Sequence, residues 1–148
     1  MAQHSIRRVF QIFSIEGKVV IITGGMGAIG IEVARSMADA GADVALWYKS
    51  SPKADELAVD VAKEYGVNIR AYKVAGQIFD EVQAAVHAVM RDFGRLDVRI
   101  ANAGIRAKAG GIDEELDRWH RVVDIDFHGA YYCARAAGAM FPKRARVM

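Results

Sequence analysis

Short apolar runs alternate along this chain with stretches whose apolar residues recur every three to four positions. Lys18-Val19-Val20-Ile21-Ile22-Thr23 is β-branched and ends in glycines, the pattern of a buried strand. From about Ala28 to Ala40, Ile29, Val33, Ala34, Met37 and Ala38 share a helical face, and Gly41 follows as a C-terminal cap. Asp43 to Tyr48 reads as a second strand. Ser51-Pro52 opens the next helix with proline in its first turn; Leu57, Ala58, Val61, Ala62 and Tyr65 form its stripe and Gly66 its end. Asn68 to Val74 is a third strand, and a helix bearing Val82, Ala85, Val86, Val89, Met90 and Phe93 runs up to Gly94. Asp97 to Ala101 makes a fourth strand, and a long last helix spans Glu114 to about Met140.

A β-α-β-α-β-α-β-α order predicts an α/β protein: a Rossmann-type, doubly wound parallel sheet, here about four strands and four helices with right-handed crossovers. The organisation expected is an N-terminal extension over residues 1–13 and an incomplete Rossmann domain, its N-terminal part only, over 14–148. Ligands of such sheets bind beyond the carboxyl ends of the strands. The residues to inspect therefore follow Thr23, Tyr48, Val74 and Ala101.

The first of these places holds Thr23-Gly24-Gly25-Met26-Gly27-Ala28-Ile29-Gly30, between a strand and a helix start. Small residues let a diphosphate approach the backbone, and a helix N-terminus supplies free N–H donors and positive dipole. A glycine-rich turn alone says little; its position inside a βαβ unit makes it a dinucleotide loop. Ile31 and Glu32 stand where a P-loop would carry its phosphate-binding lysine and hydroxyl, so an ATPase is excluded.

NAD binders place an acid at the end of the second strand, on the ribose hydroxyls. Here that strand ends Leu46-Trp47-Tyr48-Lys49-Ser50, and Asp43 stands at its beginning, the wrong end of the sheet. A carboxylate would repel a 2′-phosphate, whereas Lys49 and Ser50 can bond one. The expected cofactor is NADP(H).

Composition adds limits. At 53% hydrophobic and 26% charged residues, the 148-residue chain has a globular profile. A net charge of +2 is too small to argue for a nucleic-acid or membrane partner. No apolar run is long enough to span a bilayer. The single cysteine, Cys133, cannot form an internal disulfide, which suits a cytoplasmic protein.

These motifs together resemble the short-chain dehydrogenase/reductase family. The resemblance is carried by the Thr-Gly-x-x-x-small-x-Gly loop at 23–30, by Gly41-Ala42-Asp43-Val44, by Asp97…Ala101-Asn102-Ala103-Gly104, and by Trp119…Asp124-Ile125-Asp126…Gly129. Trp47-Tyr48-x-Ser50, Lys63-Glu64-Tyr65-Gly66-Val67 and Ala71-Tyr72-Lys73-Val74 look most like fungal NADPH-dependent sorbose reductases and mannitol dehydrogenases. The resemblance implies an oxidoreductase moving a hydride between NADP(H) and a small carbonyl or polyol substrate, in homo-oligomeric relatives. It implies that Thr23, Gly24, Ala28, Ile29 and Gly30 hold the cofactor's phosphates and ribose. Asn102, Ala103 and Gly104 would line the nicotinamide side, Arg135 would lie near the cofactor, and Asp126 would occupy the place of a catalytic asparagine.

Three departures matter. Ala28 replaces a glycine and Ala101 an asparagine, both tolerable changes. Ala75 stands where the family has Asp or Asn against the adenine, so no side chain there can bond the base. Asp126 is either a carboxylate packed beside Val122, Val123 and Ala130 or an ordinary acid on a solvated edge. The family's serine and Tyr-x-x-x-Lys are absent: the residues four beyond Tyr131 and Tyr132 are Arg135 and Ala136. The chain as written is expected not to turn over, and to expose an open strand edge that lowers solubility. The alternative reading is a non-catalytic NADP(H)-binding or subunit-pairing module. His120, Asp124 and His128 share a helix face and read as a solvated stripe rather than a metal site. Cys133 reads as a small buried residue, and Lys143-Arg144-Ala145-Arg146 as a chain end rather than a nucleic-acid patch.

Overall fold

The computed structural model describes residues 11–106 and 115–141. Its elements are β1 (Val19–Thr23), α1 (Ala28–Asp39), β2 (Asp43–Tyr48), α2 (Ala54–Tyr65), β3 (Ile69–Lys73), α3 (Phe79–Phe93), β4 (Val98–Ile100), α4 (Leu116–Val122) and α5 (Gly129–Met140). Between α4 and α5 the backbone widens into a π-helical stretch, Val123–His128. The four strands are parallel in the order β3-β2-β1-β4. This is the Rossmann-type arrangement expected, with β1 central and β3 and β4 at the edges among the described residues.

Strand alternation sends neighbouring side chains to opposite faces. Val19, Ile21, Ala45 and Trp47 pack on one side against Val82, Val86 and Val89 of α3 and Cys133, Ala136 and Ala137 of α5. Val20, Ile22, Val44 and Leu46 pack on the other against Ala34 and Ala38 of α1 and Ala58 and Val61 of α2. β1 is buried at every position, as a strand covered on both faces must be. Fully burying a side chain of this size stabilises by roughly 1.5–3 kcal/mol, so Ile21, Ile22 and Leu46 anchor the sheet.

Carboxylates fix the amino ends of the strands. Asp97 accepts from the Val19 N–H at 3.0 Å and from two Arg95 nitrogens at 2.7 Å each, with Lys18 Nζ at 3.9 Å. Burial alone would raise this carboxyl, but Arg95, the Val19 amide and Lys18 together hold it below the usual range. Asp43 accepts from the Asn68 N–H at 2.7 Å and so joins β2 to the start of β3. Arg35 of α1 pairs with Glu64 of α2 across the outer face.

Some boundaries differ from the sequence reading. α2 begins at Ala54 rather than at Ser51-Pro52, with the Leu57 N–H on the Lys53 carbonyl. The third and fourth strands are each one residue shorter at both ends, although Asn68, Val74 and Asp97 still make one backbone bond each to the neighbouring strand. Glu114, the N-terminal extension as far as Phe10, and the basic tail 143–146 lie outside the described residues. Among the described residues no helix is long and apolar enough to cross a membrane.

Candidate functional site

The carboxyl ends of β1, β2 and β4 meet the N-terminus of α1. Thr23, the last residue of β1, fastens this meeting point. Its Oγ1 accepts from the N–H groups of Asn102 and Ala103, both at 3.0 Å, and donates to the Ile100 carbonyl at 3.4 Å. Asn102 returns the contact, its Nδ2 donating to the carbonyls of Thr23 at 3.0 Å and Gly24 at 3.2 Å. Asn102 therefore braces the glycine loop from beneath instead of presenting its amide to the cleft. Gly25 N–H bonds the Trp47 carbonyl at 2.9 Å and ties the loop to β2 as well.

At Gly24 and Gly30 the loop is packed so tightly that a side chain is excluded. Gly24 has φ +65°, and a Cβ there would lie 2.9 Å from the Ala103 Cα. A Cβ on Gly30 would lie 2.8 Å from the Gly25 Cα and closer still to the Gly24 carbonyl oxygen. α1 starts with no side-chain cap at Gly27, and the first helical bond is Ile31 N–H to the Gly27 carbonyl. Among the described residues the N–H groups of Ala28, Ile29 and Gly30 have no acceptor in the chain. Ala28 and Ile29 are exposed, so their donors open to a ligand, with the buried Gly30 amide behind them.

A cleft of about 750 Å³, counting the space open to solvent, runs from this loop across the strand ends. Thr23 and Gly24 line it together with Ala103, Gly104 and Ile105, and Lys49 and Gln77, which follow β2 and β3, line it too. Its wall is apolar at Val74, Ala101, Ile125, Ala130 and Cys133. Among the described residues Lys49 is its sole charged lining residue, and no carboxylate lines it. Asp43 is held at the opposite end of the sheet by Asn68, as the sequence suggested. Lys49 and Ser50 are both exposed where β2 ends. Cys133 is 2% exposed, and burial pushes its thiol up to about 11, with Arg99 partly opposing.

The π-helical stretch brings Asp126 to the other side of the cleft. The reading that buries it among apolar neighbours is not what the structure shows: Asp126 is exposed. Widening of the helix alters the angular spacing on which that reading relied. Its Oδ1 accepts from the Ile105 N–H at 2.9 Å, and a Cβ on Gly104 would lie 3.2 Å from Oδ2. Asp126 thus holds the segment after β4 from above while Thr23 holds it from below.

Arg135 is not brought to the cleft. Its guanidinium lies over the Phe79 ring, 5.4 Å from the centroid, in a separate groove with Gln83 and His87 between α3 and α5. Two residues beyond Cys133 on a helix, it points well away from the face Cys133 presents. Asp124 and His128 pair with each other at 3.0 Å.

The sequence profile of the short chain dehydrogenase family matches residues 18–147. A probable NADP-dependent mannitol dehydrogenase of Yarrowia lipolytica is 44% identical over 93% of this chain and 50% of its own length. A sorbose reductase of Candida albicans is 42% identical over 91% of this chain and 48% of its own. The chain spans about half the length of these curated relatives. Among solved structures, an NADPH-dependent 3-quinuclidinone reductase from Rhodotorula rubra superposes with a TM-score of 0.82 at 41% identity, covering 90% of this chain and 50% of that one. A likeness that runs through every strand, at this identity, is one of descent, and the chain belongs to the short-chain dehydrogenase family.

Proposed function

We propose that the cleft binds NADP(H), and that this chain carries the cofactor-binding part of an oxidoreductase acting on a ketose, polyol or similar small carbonyl compound. The observation that carries the cofactor reading is the charge of the cleft: among the described residues Lys49 is its charged lining side chain and no carboxylate lines it, while the unbonded amides of Ala28, Ile29 and Gly30 follow the glycine loop whose first residues line it. The residues fit the group, since Gly24 and Gly30 let the loop pack against β4 and the start of α1 without side chains, and the amides of Ala28, Ile29 and Gly30 are left without an acceptor in the chain. NADP(H), when bound, supplies or accepts the hydride. Ala28, Ile29 and Gly30 hold its diphosphate through their N–H groups. Lys49 and Ser50 hold the 2′-phosphate by charge-assisted bonds, each worth roughly 1.5–3 kcal/mol. Thr23, Asn102 and Asp126 act as positioning residues, setting Ala103 and Gly104 beside the cleft. The names of the mannitol dehydrogenase and sorbose reductase relatives support the substrate class.

No Tyr-x-x-x-Lys occurs within these 148 residues, so the part of the site they supply is the cofactor-binding part. Its buried thiol fits the reducing cytoplasm. Leu116, Trp119, Phe127 and Tyr131 are exposed along α4, the π-helical stretch and α5, a face suited to pairing with a second copy. Fluorescence titration tests the cofactor reading: NADPH binds more tightly than NADH by about 10-fold or more, and Lys49→Glu removes the difference. Equal affinity for the two dinucleotides refutes it.

A further inference from the structure

We infer that Gln77 reads the base of the dinucleotide, taking the place of the acid that position 75 lacks. This rests on the NADP(H) reading above and adds a specificity residue to it.

Ala75 cannot contact a base through its side chain, and its backbone is already committed. Its N–H donates to the Glu81 carboxylate at 2.9 Å, and its carbonyl accepts from the Ile78 N–H at 2.9 Å. These two bonds close the turn after β3. The turn is also braced by α5, where a Cβ on Gly129 would lie 3.3 Å from the Gly76 carbonyl oxygen. Its conformation is thus fixed before any ligand arrives.

Two residues of this turn face the cleft. A Cβ on Gly76 would meet nothing within 4 Å, so the space over it stays open. Gln77 follows, half-buried on the cleft wall, and its amide has no hydrogen-bond partner among the described residues. The same cleft is lined by Val74, Ala101, Ile125 and Ala130, apolar surface for the faces of a flat heterocycle. The same wall contains Trp47, 2% exposed, whose buried indole nitrogen is also without a partner. An apolar slot with unpaired polar groups at its margin is the form of a site for a ring that carries polar edges.

The chemistry singles out Gln77 among the polar side chains of the cleft. Thr23 is committed to β4, Lys49 can only donate, and Tyr48 has a single hydroxyl. A primary amide presents a donor and an acceptor side by side. Adenine presents an acceptor ring nitrogen next to its exocyclic amine, and a carboxamide pairs with both at once.

The test is calorimetric, on the 148-residue chain and its Gln77→Ala variant, with matching circular dichroism required of both. Three probes divide the cofactor: NADPH, 2′-phosphoadenosine 5′-diphosphate, and reduced nicotinamide mononucleotide, which has no adenine. The variant should bind the first two about 5- to 10-fold more weakly and the third unchanged, the loss expected for one or two neutral hydrogen bonds. Gln77→Glu, which keeps length and acceptor but loses the donor, should fall between. Affinity of Gln77→Ala for the adenine-bearing probes within twofold of the parent overturns the inference. So does an equal loss on the mononucleotide, which would make Gln77 merely structural. If the parent chain binds none of the three, the NADP(H) reading itself fails and the inference with it.

Discussion

Gly30→Ala is the most informative single substitution in the loop. Its methyl would sit 2.8 Å from the Gly25 Cα and closer to the Gly24 carbonyl oxygen. Carbon atoms ordinarily meet at about 3.5–4.0 Å, so the loop must retreat by roughly 0.7 Å or more. Both atoms that must move are backbone, and Gly25 is tied to the Trp47 carbonyl at 2.9 Å. Overpacking a site of this kind costs about 1–3 kcal/mol. For a chain of this size that lowers the melting temperature by roughly 3–10 °C. The same retreat moves the amides of Ala28 and Ile29, so NADPH affinity should fall by more than about 10-fold. Gly27→Ala is the control: Gly27 is exposed, its φ is −77°, and its Cβ would come no nearer than 3.3 Å to the Gly24 oxygen. Thermal melts and NADPH titration of both variants give the answer. If Gly30→Ala matches the parent in stability and affinity, close packing of the loop is not what shapes the site.

Three further outcomes follow from the same geometry. Thr23→Val leaves the Asn102 and Ala103 amides without their shared acceptor and should cost about 2–4 kcal/mol in urea denaturation, while Thr23→Ser keeps most of the stability. Asp97→Asn should destabilise by about 1–3 kcal/mol at neutral pH. Because the Asp97 carboxyl is held below its usual value, its contribution is complete above the unfolded carboxyl's pKa of about 3.9 and disappears as pH falls through the lower folded value; a parent and variant that lose stability equally on acidification would contradict this. Cys133, with its thiol near 11, should react with a thiol reagent at pH 8 far more slowly than an unfolded-state cysteine, and fast labelling of the native chain would show that α5 does not cover it.

Much of the frame is legible in the sequence because short-range rules set it. β-branched runs mark β1 and β2, and glycines close the helices as the caps require: Gly66 and Gly94 take φ of +70° and +76°. Gly41, at φ +83°, sends its N–H to the Ala38 carbonyl, and the Ala42 N–H reaches Met37. The glycine loop, the missing acid at the end of β2 and the lysine that follows it needed only strand order to interpret.

What escaped depends on contacts between distant segments or on departures from regular period. Thr23 as the bolt between β1 and β4 involves residues 77 to 80 positions apart, which no local pattern reveals. For Asp126 the sequence left a packed face and a solvated edge as alternatives; the π-helical stretch breaks the spacing behind the first, and the residue is exposed as in the second. Arg135 lies on the same helix as cleft residues, yet its angular position and the Phe79 ring take it into another groove. Gln77 gave a faint signal: the turn that lacks the family's acid has an amide two residues later. Only the shape of the cleft shows that this amide faces it.

The central claim is tested most directly by mapping amide resonances of the 148-residue chain as NADPH is added. The account predicts that the largest shifts fall on Ala28, Ile29 and Gly30, with others at Lys49, Ser50 and Gln77, and none at Arg135. Saturating NADPH that leaves the Ala28–Gly30 amides unmoved would contradict it.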